Sequence, residues 1–233
     1  MRKYYIEATL LSAGIIFLGL CLYCGLSSLA NREREVSVRG LAEREVQADH
    51  VIWPLVYKTT GNDLQAIYAD VKNANTKIAR FLKNNGIRAE DITESAPQII
   101  DLHAERYNTH RAAERYNVTS VITVATTQVE QARALMSRLG ELLKEGIAIS
   151  AGDYDTRVEY EFLGLNKIKP EMIEEATRNA REAAEKFALD SGSELGKIKT
   201  ASQGLFSITN RDQYTPHIKK VRVVTSVNYY LEN

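Results

Sequence analysis

From Ala8 to Ala30 no position is charged, and Leu10–Leu20 is apolar almost throughout. As a helix, these 23 residues would reach about 35 Å, enough to cross a hydrocarbon core of about 30 Å. The run is apolar on every face, which a buried helix of a soluble protein rarely is. With Arg2 and Lys3 ahead of it, the segment fits a retained membrane anchor. It also fits a cleavable signal with Ser28-Leu29-Ala30 at the cut. Either reading exports the rest of the chain. The pattern therefore predicts residues 1–30 as anchor or signal and 31–233 as a body outside the cytoplasm, either anchored to the inner membrane or free in the periplasm.

Beyond the segment the periodicity changes. Residues 35–40 alternate polar and apolar up to Gly40, predicting a half-buried strand followed by a turn at Leu41–Arg44. Residues 45–59 are rich in β-branched and aromatic types and predict a long strand, with Pro54 confined to an edge or bulge because it cannot donate to a ladder. Gly61-Asn62-Asp63 stops it. Leu64, Ile67, Tyr68, Val71, Asn75, Ile78, Phe81 and Leu82 then recur at helical spacing, ending in Asn85-Gly86. Two strands come next at 95–102 and 116–127, joined by a polar loop, and a second helix runs from Val129 to Leu143.

Tyr154–Phe162 alternates cleanly, with Val158, Tyr160 and Phe162 inward and Arg157, Glu159 and Glu161 on a wet face. A third helix is expected from Pro170 to Ser191, its buried stripe formed by Ile173, Ala176, Ala180, Ala183, Ala184, Phe187 and Ala188. Its exposed side offers i,i+4 pairs such as Glu174–Arg178, Arg178–Glu182, Arg181–Glu185 and Glu182–Lys186. Strands at 198–208 and 219–231 complete the set. The order β-β-α-β-β-α-β-α-β-β lacks regular βαβ units. It predicts an α+β fold, a mixed or antiparallel sheet with helices packed on one side.

Composition narrows the function. Outside residues 1–30 there are 28 basic and 29 acidic residues, a balance unlike that of a nucleic-acid binder. The basic cluster from His217 to Arg222 reads as a solvated strand start. Both cysteines, Cys21 and Cys24, lie in the apolar segment, so the body has no thiol nucleophile. No serine-hydrolase, zinc-protease, dinucleotide or phosphate-loop motif occurs. His103 and His110 with Asp101, Glu105 and Glu114 form the best metal candidate, but their spacing has no geometric warrant, and a solvated loop accounts for them. His50 and His217 stand alone. No catalytic, cofactor or metal residue is therefore expected.

The chain resembles the SIMPL-domain family of bacterial envelope proteins over nearly all of residues 35–231. The resemblance is carried by Val36-Ser37-Val38-Arg39-Gly40, by Asn85-Gly86-Ile87 with Glu90-Asp91-Ile92, and by Tyr116-Asn117-Val118-Thr119. The third helix adds Ala176, Ala180, Ala183-Ala184 and Ala188, closing in Ser191-Gly192 and Leu195-Gly196. That resemblance implies an envelope α+β domain that self-associates, has no defining catalytic residues, and in some members is linked to envelope stress defence. The expectation is a non-enzymatic protein working as a homo-oligomer or with an envelope partner. The alternative is a small-ligand or metal binder or a hydrolase whose pocket the sequence does not display.

Overall fold

A computed structural model of the chain describes residues 2–30, 34–104, 113–150 and 156–232, with side chains given from 11 to 26 in the first stretch. The fold is α+β with antiparallel strand pairing. Two compact units interleave along the chain. One comprises Met1–Arg44, Ile168–Ser207 and Val221–Asn233, and the other Glu45–Lys167 and Ile208–Lys220.

The second unit is built around β2 (His50–Gly61), which pairs antiparallel with β5 (Tyr116–Thr126) from Val51↔Thr126 to Gly61↔Tyr116. On the far side of β5 lie β3 (Ile92–Glu94) and β4 (Gln98–Asp101). On the far side of β2 lie β6 (Ile149–Ser150) and β7 (Glu159–Glu161). Alternate β2 residues Val51, Trp53, Leu55 and Tyr57 point into one core with Ile122 and Val124. Covering them are Ile78, Phe81 and Leu82 of α2 (Leu64–Asn84), Ala132 and Leu135 of α3 (Val129–Met136), and Leu142 of α4 (Gly140–Lys144). The helices thus share the apolar face of the sheet, as their stripes require.

Each helix end has a local cause. Asp63 caps α2, its carboxylate accepting from the Gln65 amide at 2.8 Å. At the other end Gly86 takes φ +90°, so the Ile87 amide reaches the Leu82 carbonyl at 3.1 Å. The same bond pattern closes α4 at Gly146 and the third long helix at Gly192. Inside, the Tyr57 hydroxyl lies 2.6 Å from Asn75 Oδ1 and 3.0 Å from the Val71 carbonyl, and Ser120 Oγ donates to Asn75 at 3.3 Å. This explains a buried asparagine on the apolar stripe.

The other sheet has the order β1-β10-β8, where β8 (Glu194–Gln203) and most of β1 (Glu35–Gln47) and β10 (Ile218–Glu232) belong to the first unit, and β9 (Ser207–Asn210) also pairs with β10. Over Val38, Val227 and Tyr229 packs α5 (Leu165–Asp190). Its fully buried residues, Met172, Ala176, Ala180, Ala184 and Ala188, repeat every four positions. Small residues there let the helix axis approach the sheet closely. A Cβ on Gly40 would stand 1.8 Å from the Ala176 carbonyl oxygen.

The structure corrects several sequence expectations. No turn interrupts Leu41–Arg44: β1 continues to Gln47, because Gly40 makes room for α5 instead of ending the strand. Pro54 is not on an edge strand. It pairs with Thr123 inside the sheet, and the gap between the β7 partners His50–Ile52 and the β6 partners Val56–Tyr57 falls at its position, so no bond is missing there. Gln98 starts β4 just after Pro97, leaving Ile92–Glu94 as a separate strand. The second helix breaks at Ser137, whose hydroxyl donates to the Ala134 carbonyl.

Further corrections concern α5 and its neighbours. This helix begins at Leu165, so Pro170 lies inside it, and Phe187 is 61% exposed rather than on the buried stripe. Of the four expected helical ion pairs, only Arg181–Glu185 forms among the described residues, at 2.8 Å. Glu159–Glu161 alone is strand in the segment expected at 154–162. Phe162 is half-buried, and residues 151–155 lie outside the described ones. The stretch 198–208 divides into β8 and β9.

One consequence is directly measurable. Ala184→Leu is expected to cost about 1–3 kcal/mol by overpacking the α5 seam, whereas Phe187→Ala stays within about 0.5 kcal/mol. Urea titrations followed by circular dichroism distinguish the two.

Candidate functional site

In the second unit a cavity of about 620 Å³ lies between Arg157–Glu161 and the β9–β10 hairpin, where Asn210, Gln213, Pro216 and Lys219 line it. The hairpin loop is fixed by Asp212. Its carboxylate accepts from the amides of Tyr214 at 2.8 Å and Thr215 at 2.7 Å, from the Thr215 hydroxyl, and from Arg211 Nε at 3.1 Å. The Thr215 hydroxyl first, then Arg211, hold this carboxyl far below the ordinary range. The Arg211 amide closes the hairpin on the Ile218 carbonyl at 2.9 Å.

Lys219 is the unusual wall residue. Only 8% of it is exposed, and Nζ donates to Asn210 Oδ1. Burial pushes its ammonium below the ordinary lysine range, against the opposing pull of Glu161 and Glu159. Glu161 Oε2 lies 3.0 Å from His50 Nδ1, so His50 is not an isolated surface group. The His217 ring meets the Tyr160 ring edge at 6.1 Å between centroids. Burial first, then Arg133, lowers its imidazole pKa. Charged side chains of both signs, donors in Arg157 and Lys219 and acceptors in Glu159 and Glu161, thus face one cavity backed by the apolar side chains of Val158 and Pro216.

The sequence reading of His217–Arg222 as a solvated strand start is corrected at Lys219. The signal was present, because position 219 is in phase with the inward residues Val221, Val223, Thr225, Val227 and Tyr229. The wet face of Arg157, Glu159 and Glu161 is the wall of this cavity. Its apposition to a hairpin far along the chain left no local trace.

The expected metal candidates do not converge among the described residues. Asp101 is held by Arg115 at 2.9 Å, Glu114 accepts from Asn62 at 2.8 Å, and Glu105 and His110 lie outside the described residues. The His103 amide donates to Asp101 Oδ1 at 3.0 Å. No group of three or more metal-binding side chains occurs among the described residues.

A second feature belongs to the first unit. Among the described residues β8 ends the sheet, pairing with β10 on one side only, and eight of its ten residues are exposed, all but Leu195 and Gly196. The edge expected at Pro54 is therefore not one, since β2 has neighbours on both sides, and β10 likewise lies inside its sheet. At the opposite end of the sheet, Asn179 Nδ2 donates to the Leu41 carbonyl at 2.8 Å, so α5 occupies part of the β1 edge. Between α5 and β8 runs a groove of about 640 Å³, with Arg178, Lys197, Ile198 and Tyr229 among its walls.

Residues 11–26 of the N-terminal helix α1 (Arg2–Ala30) are exposed throughout, its large apolar side chains by 57–74%. No helix among the described residues is long and apolar enough to cross a membrane. In the sequence the uncharged run extends beyond them on both sides.

A search of curated proteins finds no match. The family model SIMPL, described as a protein of unknown function (DUF541), matches residues 36–226, which takes in the second unit, most of the sheet of the first, the cavity and the β8 edge. The chain therefore belongs to the SIMPL family.

Proposed function

We propose that this protein is a non-catalytic component of the cell envelope that works by assembling with further copies of itself through the β8 edge. The observation that carries the proposal is the largely exposed ten-residue strand β8, which pairs with β10 alone among the described residues. Lys197 and Lys199 discourage pairing with unrelated edges.

The exposed apolar side chains of α1 support attachment to a membrane, because those between residues 11 and 26 have no cover among the described residues. Under this proposal residues 8–30 export the body and either remain as its tether or are cleaved after Ala30. A role in envelope stress defence fits such an assembly.

Light scattering on residues 31–233 at micromolar concentration is expected to show a species larger than a monomer. Ile198→Lys, which adds a charge to the open edge where Ile198 is 53% exposed, should return it to a monomer with an unchanged circular dichroism spectrum. A monomeric parent protein, or a variant that associates as before, defeats the β8 assembly. For the location, cell fractionation should recover the protein with envelopes. Recovery with soluble cytoplasmic proteins refutes export.

A further inference from the structure

We propose that the cavity between β7 and the β9–β10 hairpin binds a small zwitterion, with the carboxylate-plus-ammonium chemistry of an amino acid or dipeptide. This inference is independent of assembly through β8.

The argument begins with Lys219. An ammonium has three donor hydrogens, and this one, on a side chain that is almost wholly buried, has Asn210 Oδ1 as its single hydrogen-bond acceptor among the described residues. A buried charged donor left partly unmatched is costly, and a ligand oxygen entering the cavity would relieve that cost. Arg157 lines the same cavity and makes no hydrogen bond or ion pair among the described residues. Two cationic donors with unmet capacity point to a carboxylate.

A simple anion does not suffice, because Glu159 and Glu161 face the same space. Glu161 is already engaged by His50 at 3.0 Å, whereas Glu159 makes no hydrogen bond or ion pair among the described residues. Glu159 is therefore the acceptor for a ligand ammonium. A simple cation fails for the mirror reason, since it meets Arg157 and Lys219. A neutral polyol could hydrogen-bond to these groups but would bring no opposite charge to Arg157, Lys219 or Glu159. Val158 and Pro216 supply an apolar wall for the aliphatic part. The volume of about 620 Å³ lies within the usual span for small-ligand sites and leaves room for two amino-acid residues.

The test is calorimetric titration of dialanine, N-acetyl-dialanine and dialanine amide into the full chain in detergent micelles. Saturable binding of dialanine is expected, weakened by roughly tenfold or more in Lys219→Met and in Arg157→Ala, each of which removes one charge-assisted bond to the carboxylate. Glu159→Gln should weaken dialanine by a similar factor and leave N-acetyl-dialanine unchanged. The amide should bind worse than the free dipeptide. If Lys219→Met fails to fold, Arg157→Ala and Glu159→Gln, on exposed residues, carry the test. Absence of saturable dialanine binding, equal binding of the free and acetylated dipeptides, or wild-type affinity in Arg157→Ala and Glu159→Gln overturns the proposal.

Discussion

Gly40→Ala is expected to lower stability by more than about 3 kcal/mol, the upper range for overpacking a close contact. The added methyl would stand 1.8 Å from the Ala176 carbonyl oxygen, 2.5 Å from the Ala180 nitrogen and 2.8 Å from Ala180 Cβ. Two of these three neighbours are main-chain atoms of α5, so no side-chain rotation relieves the clash. The helix must lift, and lifting it separates Ala180 and Ala184 from Val38, Val227 and Tyr229. Gly140→Ala is the control, because nothing lies within 4 Å of its added Cβ and alanine favours the helix by up to about 1 kcal/mol. Chemical denaturation of both variants followed by circular dichroism measures the difference. Equal midpoints would mean that α5 does not rest on Gly40.

Leu82→Ala is expected to cost about 2–5 kcal/mol, the range for emptying a leucine-sized site in a packed core. Leu82 is completely buried on α2 among Ile78, Phe81 and the inward residues of β2. Tyr68→Ala on the same helix should stay within about 0.5 kcal/mol, since Tyr68 is 65% exposed. Periodicity alone puts Leu82 and Tyr68 on one stripe. The pair of midpoints in urea therefore tests a distinction that only the tertiary structure draws, and equal losses would mean that the α2 face is rotated.

Local signals carried most of the secondary structure. Asn85-Gly86, Gly146 and Ser191-Gly192 mark three helix ends because a left-handed residue is needed there. The alternation of Val221 to Tyr229 marks β10 because side chains alternate across a strand. What failed depended on distant partners. Gly40 looks like a strand stop until α5 is placed over it, and Pro54 looks like an edge residue until the gap between β6 and β7 is seen. Phe187 has the spacing of a buried residue, but its position on α5 faces solvent. Half of the candidate site was legible as the wet face of Arg157, Glu159 and Glu161. The other half, Lys219, was hidden by its basic neighbours although its phase along β10 gave it away.

The interleaving of the two units governs when the chain can fold. β1 needs β10, with the Leu231 amide donating to the Arg34 carbonyl at 2.9 Å across almost two hundred residues. The other unit needs Ile208–Lys220 to complete its wall. The first unit cannot close until β10 has left the ribosome, and contacts so distant in sequence form slowly, whereas the six-stranded sheet of the second draws all its strands from residues 50–161. The two sheets therefore mature at different times, one able to form while the chain is still being made and the other held open until its last strand arrives.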